Sequence, residues 1–140
     1  MSRISEKKPT YNIKNELSQY RHIKYELQLL RSELRELETL REAAAALKGK
    51  EHPESDTADF DSRISKLEDS IKTRMDELIS KYERIERYIE SIDIPFIRSA
   101  MKHRFLYGKT WQQTAFALGE YDEQYARKRC ERYMKLNGQL

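Results

Sequence analysis

The sequence predicts an all-α protein: a long antiparallel helical hairpin, a coiled-coil-like arm, followed by a C-terminal three-helix helix-turn-helix bundle. Three observations carry this. Of 140 residues, 36% are charged and 38% hydrophobic, with only four Gly and three Pro. That is too polar for a large core and too poor in breakers for a β-sandwich, but it suits solvated helices with narrow apolar seams. Apolar residues recur at seven-residue steps through most of the first 92 positions. The last third instead holds short helical stretches punctuated by Gly108 and Gly119.

Residues 1–10 read as a flexible basic lead ended by Pro9. The arm, 11–92, opens with one helix expected from Tyr11 to Leu47. Tyr20, Leu27 and Leu34 repeat every seven residues, as do Ile23, Leu30 and Leu37. These are the a and d positions of a heptad. The flanking Arg31, Glu33, Arg35, Glu36 and Glu38 suit i,i+4 pairs on the solvated face. So narrow a stripe on so long a helix requires a partner helix. Gly49 and Pro53 punctuate a loop expected over 48–59. A second helix is expected from Ala58 to Ser91, with Ile64, Ile71, Leu78, Ile85 and Ile92 at steps of seven. Its simplest partner is the first helix of the same chain; pairing between two chains is the competing arrangement.

Asp93 and Pro95 mark the next boundary, with Asp93 as cap, Pro95 in the first turn and a kink or short break before it. The bundle, 93–137, starts with a helix over Pro95–Tyr107 that ends at Gly108. Thr110 is placed to cap the next helix, whose Trp111, Ala115 and Leu118 share one face. Gly119 stands where a left-handed stop residue is wanted. The acids after Tyr121 then suit the start of the last helix. The expected core is Phe96, Ile97, Ala100, Met101, Phe105, Trp111, Ala115, Leu118, Tyr125, Tyr133 and Leu136. Cys130, the single cysteine, reads as a small buried residue.

Charge is uneven. Residues 1–92 hold 18 Lys and Arg against 19 Asp and Glu, whereas 93–140 hold 9 against 5. The basic excess thus lies in the helix-turn-helix segment, the pattern of a nucleic-acid module. On a helical wheel Tyr125, Ala126, Tyr133 and Leu136 point toward the bundle, and Glu123, Gln124, Arg127, Lys128 and Glu131 away from it. Gln124 and Arg127 are types that read adenine and guanine edges. Lys128, Arg129 and Arg132 suit phosphate contacts, and Lys109 and Thr110, opening the preceding helix, are placed to meet a phosphate. A protein-only coiled-coil adaptor is the rival reading.

No apolar run approaches the ~20 residues of a membrane span, and the N-terminus has no signal-peptide core. A cytoplasmic location is expected. His22, His52 and His103 are scattered without metal-ligand spacing. Neither a Gly-rich phosphate loop nor a nucleophile elbow occurs. The expectation is no enzyme, no catalytic residue, no metal and no cofactor.

Arg104-Phe105, Gly108, Thr110-Trp111, Ala115, Leu118-Gly119, Tyr125 and Arg127 to Arg129 have a spacing that resembles region four of housekeeping sigma factors. The whole chain looks like the small phage and prophage late-gene transcription regulators of the RinA and ArpU type in Gram-positive hosts. The motif covers about 104–129 and the layout covers the remainder. The resemblance implies a sequence-specific DNA-binding regulator in a bacterial host cell, with double-stranded DNA as partner, and it puts Glu123, Gln124, Arg127 and Lys128 in the groove. The arm is expected either to form a homo-oligomer, a dimer, or to bind RNA polymerase. Two departures stand out: Tyr125 replaces a small β-branched residue, and Tyr121 stands where Ser or Thr usually caps. A phage small terminase subunit joins the same two parts, but usually with its DNA-binding part first.

Overall fold

A computed structural model describes residues 13–47 and 54–137; for 54–57 it describes the backbone only. The expected lead, 1–10, lies outside these residues, as does the part of the expected loop that holds Gly49 and Pro53. Every element among the described residues is helical: α1 (Ile13–Ser18), α2 (Tyr20–Leu47), α3 (Glu54–Glu90), α4 (Pro95–Met101), a π turn (Lys102–Leu106), α5 (Trp111–Ala117) and α6 (Glu123–Asn137). None is long and apolar enough to cross a membrane.

The first helix is not continuous. The Ser18 hydroxyl donates to the Lys14 carbonyl at 2.8 Å, and the Gln19 N–H turns back to the Glu16 carbonyl at 3.1 Å. A serine that bonds its own preceding turn competes with the helical ladder, and the chain breaks there into α1 and α2. The second helix begins at Glu54 rather than Ala58, so the expected loop 48–59 is helical over its last six residues. With no Gly or Pro between Glu54 and Ile94, no residue in that stretch stops the helix from extending. The short break before Pro95 is present, but Asp93 does not cap. Ile94 takes the capping position without a side-chain bond. Pro95 supplies one fewer orphan N–H, and the Arg98 guanidinium ties down the Ile92 carbonyl at 2.6 Å.

Contacts divide the chain into two compact units. The first joins 13–22 to 82–137. Ile13, Leu17 and Tyr20 are buried there, with Ile85, Ile89 and Ile92 from the end of α3 and Ala100, Met101 and Phe105 from α4 and the π turn. Tyr20 stacks on Tyr82 with ring centroids 4.5 Å apart and donates its hydroxyl to Glu86 at 2.7 Å. Burial first, then these two neighbours, raises its pKa. Glu16 of α1 pairs with Arg84 of α3. The expected boundary at residue 93 follows helix ends; this unit follows packing and draws in both α1 and the last turns of α3.

The second unit, 23–81, holds the greater part of α2 and α3. Ile23 and Leu30 of α2 and Ile64 and Leu78 of α3 are buried. Glu26 meets Arg74 at 3.0 Å, and Arg41 meets Glu68 at 2.8 Å and Ser65 at 2.9 Å. As numbers rise along α2 they fall along its partner.

Candidate nucleic-acid interface

Two short segments set the position of α6. The π turn is followed, after Tyr107, by Gly108, whose φ is +68°, and a Cβ there would run into the Arg21 side chain. Glycine is therefore needed for its conformation, and a larger residue would also have to displace the Arg21 side chain. Next, the Thr110 hydroxyl accepts the Gln113 N–H at 3.1 Å, and the Gln113 side chain accepts the Thr110 N–H at 3.0 Å. This reciprocal capping box starts α5 where the sequence places it. Thr114 and Ala115 are buried. Trp111 is only half-buried, set edge-on to Phe105 at 6.2 Å with the Arg104 guanidinium 5.3 Å from its ring.

At the end of α5 the Glu120 N–H reaches back to the Ala115 carbonyl at 2.9 Å, and Gly119 takes φ +76°. This is the Schellman closure that glycine favours. Asp122 then caps α6, its carboxylate accepting the Gln124 N–H at 2.9 Å. Tyr121 needs no capping role because the helix starts one residue later than the resemblance implies, and its side chain stands fully exposed.

α6 packs on α4 and α5. Ala126, Cys130 and Met134 are its buried residues. Spaced by four, they set the inward face about one residue out of phase with the one expected. Tyr125 is consequently exposed and Leu136 lies 75% exposed, while Phe96, Leu118 and Tyr133 are half-buried. The small Ala126 and Cys130 let α6 approach closely, and the bulky Tyr125 cannot take that place. Burial pushes the Cys130 thiol up to about 12, so it stays protonated.

The expected contact residues fall into three groups. Gln124, Lys128 and Arg132 stand at successive four-residue steps on the outward face, all exposed. Lys135, seven beyond Lys128, extends the ridge; that spacing was the signal that would have found it. Neither Lys128 nor Arg132 forms a salt bridge among the described residues. Glu123 and Arg127 are exposed as well, but Arg127 pairs with Glu131 at 3.2 Å, and Glu131 pairs with Lys14 of α1 at 2.5 Å. The Lys14 ammonium, chiefly, lowers the Glu131 pKa. Arg129 is folded back: its guanidinium lies 4.9 Å from the Phe96 ring and 5.5 Å from that of Tyr125, and it donates to the Tyr125 hydroxyl at 3.2 Å. Such a cation over two rings is a link between α4 and α6.

Lys109 and Thr110 stand together at the start of α5. The Lys109 ammonium lies 2.9 Å from His103 Nδ1. Burial, then the Lys109 charge, lowers the His103 pKa, so the imidazole is neutral at pH 7 and accepts from the ammonium. The Thr110 hydroxyl proton remains to donate outward, since the cap uses only its oxygen. On the outer face of α5, Phe116 is 81% exposed beside Lys109, Gln112, Gln113 and Ala117, which line a shallow cleft. The reading of the sequence had no role for Phe116; an apolar residue off the Trp111–Ala115–Leu118 stripe was the available signal.

No group of His, Cys, Asp or Glu among the described residues is arranged to hold a metal ion. The chain matches no protein family, and no curated protein or solved structure is significantly similar to it.

Proposed function

We propose that the chain is a sequence-specific DNA-binding transcriptional regulator of phage or prophage type. In this reading 11–92 is an antiparallel hairpin that self-associates or meets RNA polymerase, and 93–137 carries the helix-turn-helix. The single observation that supports it most is the outward ridge of α6: Gln124, Lys128, Arg132 and Lys135, exposed on one face of a helix held by a glycine turn against a capped α5. That is the layout in which a second helix enters the major groove and the first crosses the backbone. Gln124 would read a base edge, while Lys128, Arg132 and Lys135 would neutralise phosphates. Lys109 and Thr110 would meet a phosphate at the start of α5. Arg127 would reach the groove by exchanging Glu131 for DNA, and Arg129 would act indirectly, by holding Tyr125 and Phe96.

The test is a salt titration of binding to mixed genomic fragments, wild type beside Lys128→Ala/Arg132→Ala. Each lost phosphate contact removes about 0.9 from the slope of log K against log salt. The variant is expected to bind more weakly, with a slope shallower by about 2. Sequencing the retained fragments separates promoter sites from packaging sites. No binding by either protein at low salt refutes the reading.

A further inference from the structure

From the second unit alone, we infer that one side of the α2–α3 pair is the contact surface for a second copy of this chain. This deepens the part of the proposed function that assigns the arm to self-association, and it does not depend on DNA binding.

α2 carries two apolar stripes. Ile23 and Leu30 belong to the buried one. The other is Tyr25, Leu29, Leu40 and Leu47, which fall together at steps of four, eleven and seven and are each about half exposed. On α3, Phe60, Leu67 and Arg74 follow at steps of seven and share one edge. Phe60 is 38% and Leu67 54% exposed. Arg74 meets Glu26, three residues before Leu29, at 3.0 Å. That contact puts the α3 edge and the second α2 stripe on one side of the pair. On the opposite side Arg41 reaches Ser65 and Glu68.

The occupant follows from the register. Because Arg41 faces Ser65 and Glu68, Leu40 and Leu67 stand within about one turn of each other along the pair. A twofold axis parallel to the helices would then set the α2 stripe of one copy on the α3 edge of the other. Leu40 would meet Leu67 of the second copy, and Leu47 would come near its Phe60. An isologous contact of this kind needs one surface to complement itself, and matched apolar positions on two antiparallel helices supply that. The result is a four-helix bundle. The α2 segment 23–47 is about 37 Å long and the pair about 20 Å wide, a face of roughly 700 Å². A standard interface covers roughly 800 Å² per partner, so one further pair of helices laid along this face comes close to that size.

Sedimentation equilibrium of the full chain, without DNA, tests this. Wild type is expected at twice the chain mass, Leu40→Glu/Leu67→Glu at the single mass, and Ile79→Glu at twice. Ile79 is 41% exposed but shares the Ser65 edge, on the side opposite Leu40 and Leu67. Should the double variant fail to fold by circular dichroism, a second experiment decides. Chains carrying Leu40→Cys are mixed with chains carrying Leu67→Cys and oxidised; the expected product is mainly the mixed disulfide dimer, since Cys130 is buried. A monomeric wild type, a double variant that stays dimeric, or mainly like-with-like disulfides would overturn the inference. A monomeric wild type would leave another protein's helix to cover this face. Loss of DNA binding with the dimer intact would count against the proposed function alone.

Discussion

Thr114 shows how much one side chain decides. It is fully buried in α5, and its hydroxyl has no hydrogen-bond partner among the described residues. A buried hydroxyl without a partner loses its hydration and gains nothing back. Thr114→Val keeps the shape and the β-branch and removes that cost. It is expected to stabilise the protein by about 1 kcal/mol, read as an increase in the urea midpoint at unchanged m-value. Tyr88 has the same defect, its hydroxyl buried without a partner among the described residues and its pKa pushed up to about 12, first by burial. Phenylalanine keeps its ring and lacks the hydroxyl, so Tyr88→Phe is expected to relieve the same cost. Glu131 works at this scale too. One carboxylate serves Lys14 and Arg127, so the expected groove residue Arg127 is linked to the N-terminal helix.

At the scale of elements, turns decide where helices start and stop. Gly108 and Gly119 both take positive φ, yet they differ in surroundings. Nothing lies within 4 Å of a Cβ at Gly119, so alanine there meets only the left-handed conformational cost, about 1–2 kcal/mol. At Gly108 the same change also displaces the Arg21 side chain. Gly108→Ala is therefore expected to lower the thermal midpoint more than Gly119→Ala. Equal losses would show that Arg21 moves aside freely. The Thr110 cap, the Gly119 stop and the end of the preceding helix before Gly108 were all legible in the sequence, because each rests on a local backbone requirement; the Gln113 half of the capping box was not read there. The phase of α6 was not. Ala126 and Cys130 are buried as expected, but Tyr125 and Leu136, which look like core residues by hydrophobicity, stay exposed and Met134 turns inward. Close approach to α4 and α5 selects small side chains, and hydropathy alone does not reveal that.

For the whole molecule, the heptads set out two long helices, and contacts place their ends in different units. The unit that contains α6 takes Ile13, Leu17 and Tyr20 from the start of the chain and Ile85, Ile89 and Ile92 from the end of α3. A fragment beginning at residue 93 would expose the surfaces these six cover. It is expected to lack cooperative unfolding by circular dichroism, while the full chain unfolds cooperatively. A fragment 93–140 with a sharp thermal transition would show instead that about 45 residues hold a sufficient core by themselves.

By itself, the sequence determined the helical class, both heptad stripes, the break before Pro95, the Thr110 cap and the Gly119 stop. Each of these depends on residues close together in the chain, through hydrogen-bond geometry or helical period. Only the tertiary structure decided which face of α6 turns inward, that Arg129 lies over Phe96 and Tyr125, and that Glu131 joins Arg127 to Lys14. It also decided that one side of the α2–α3 pair keeps apolar edges exposed. Those outcomes depend on which residues distant in sequence come within a few ångströms, and a helical period is the same whichever neighbour the helix meets.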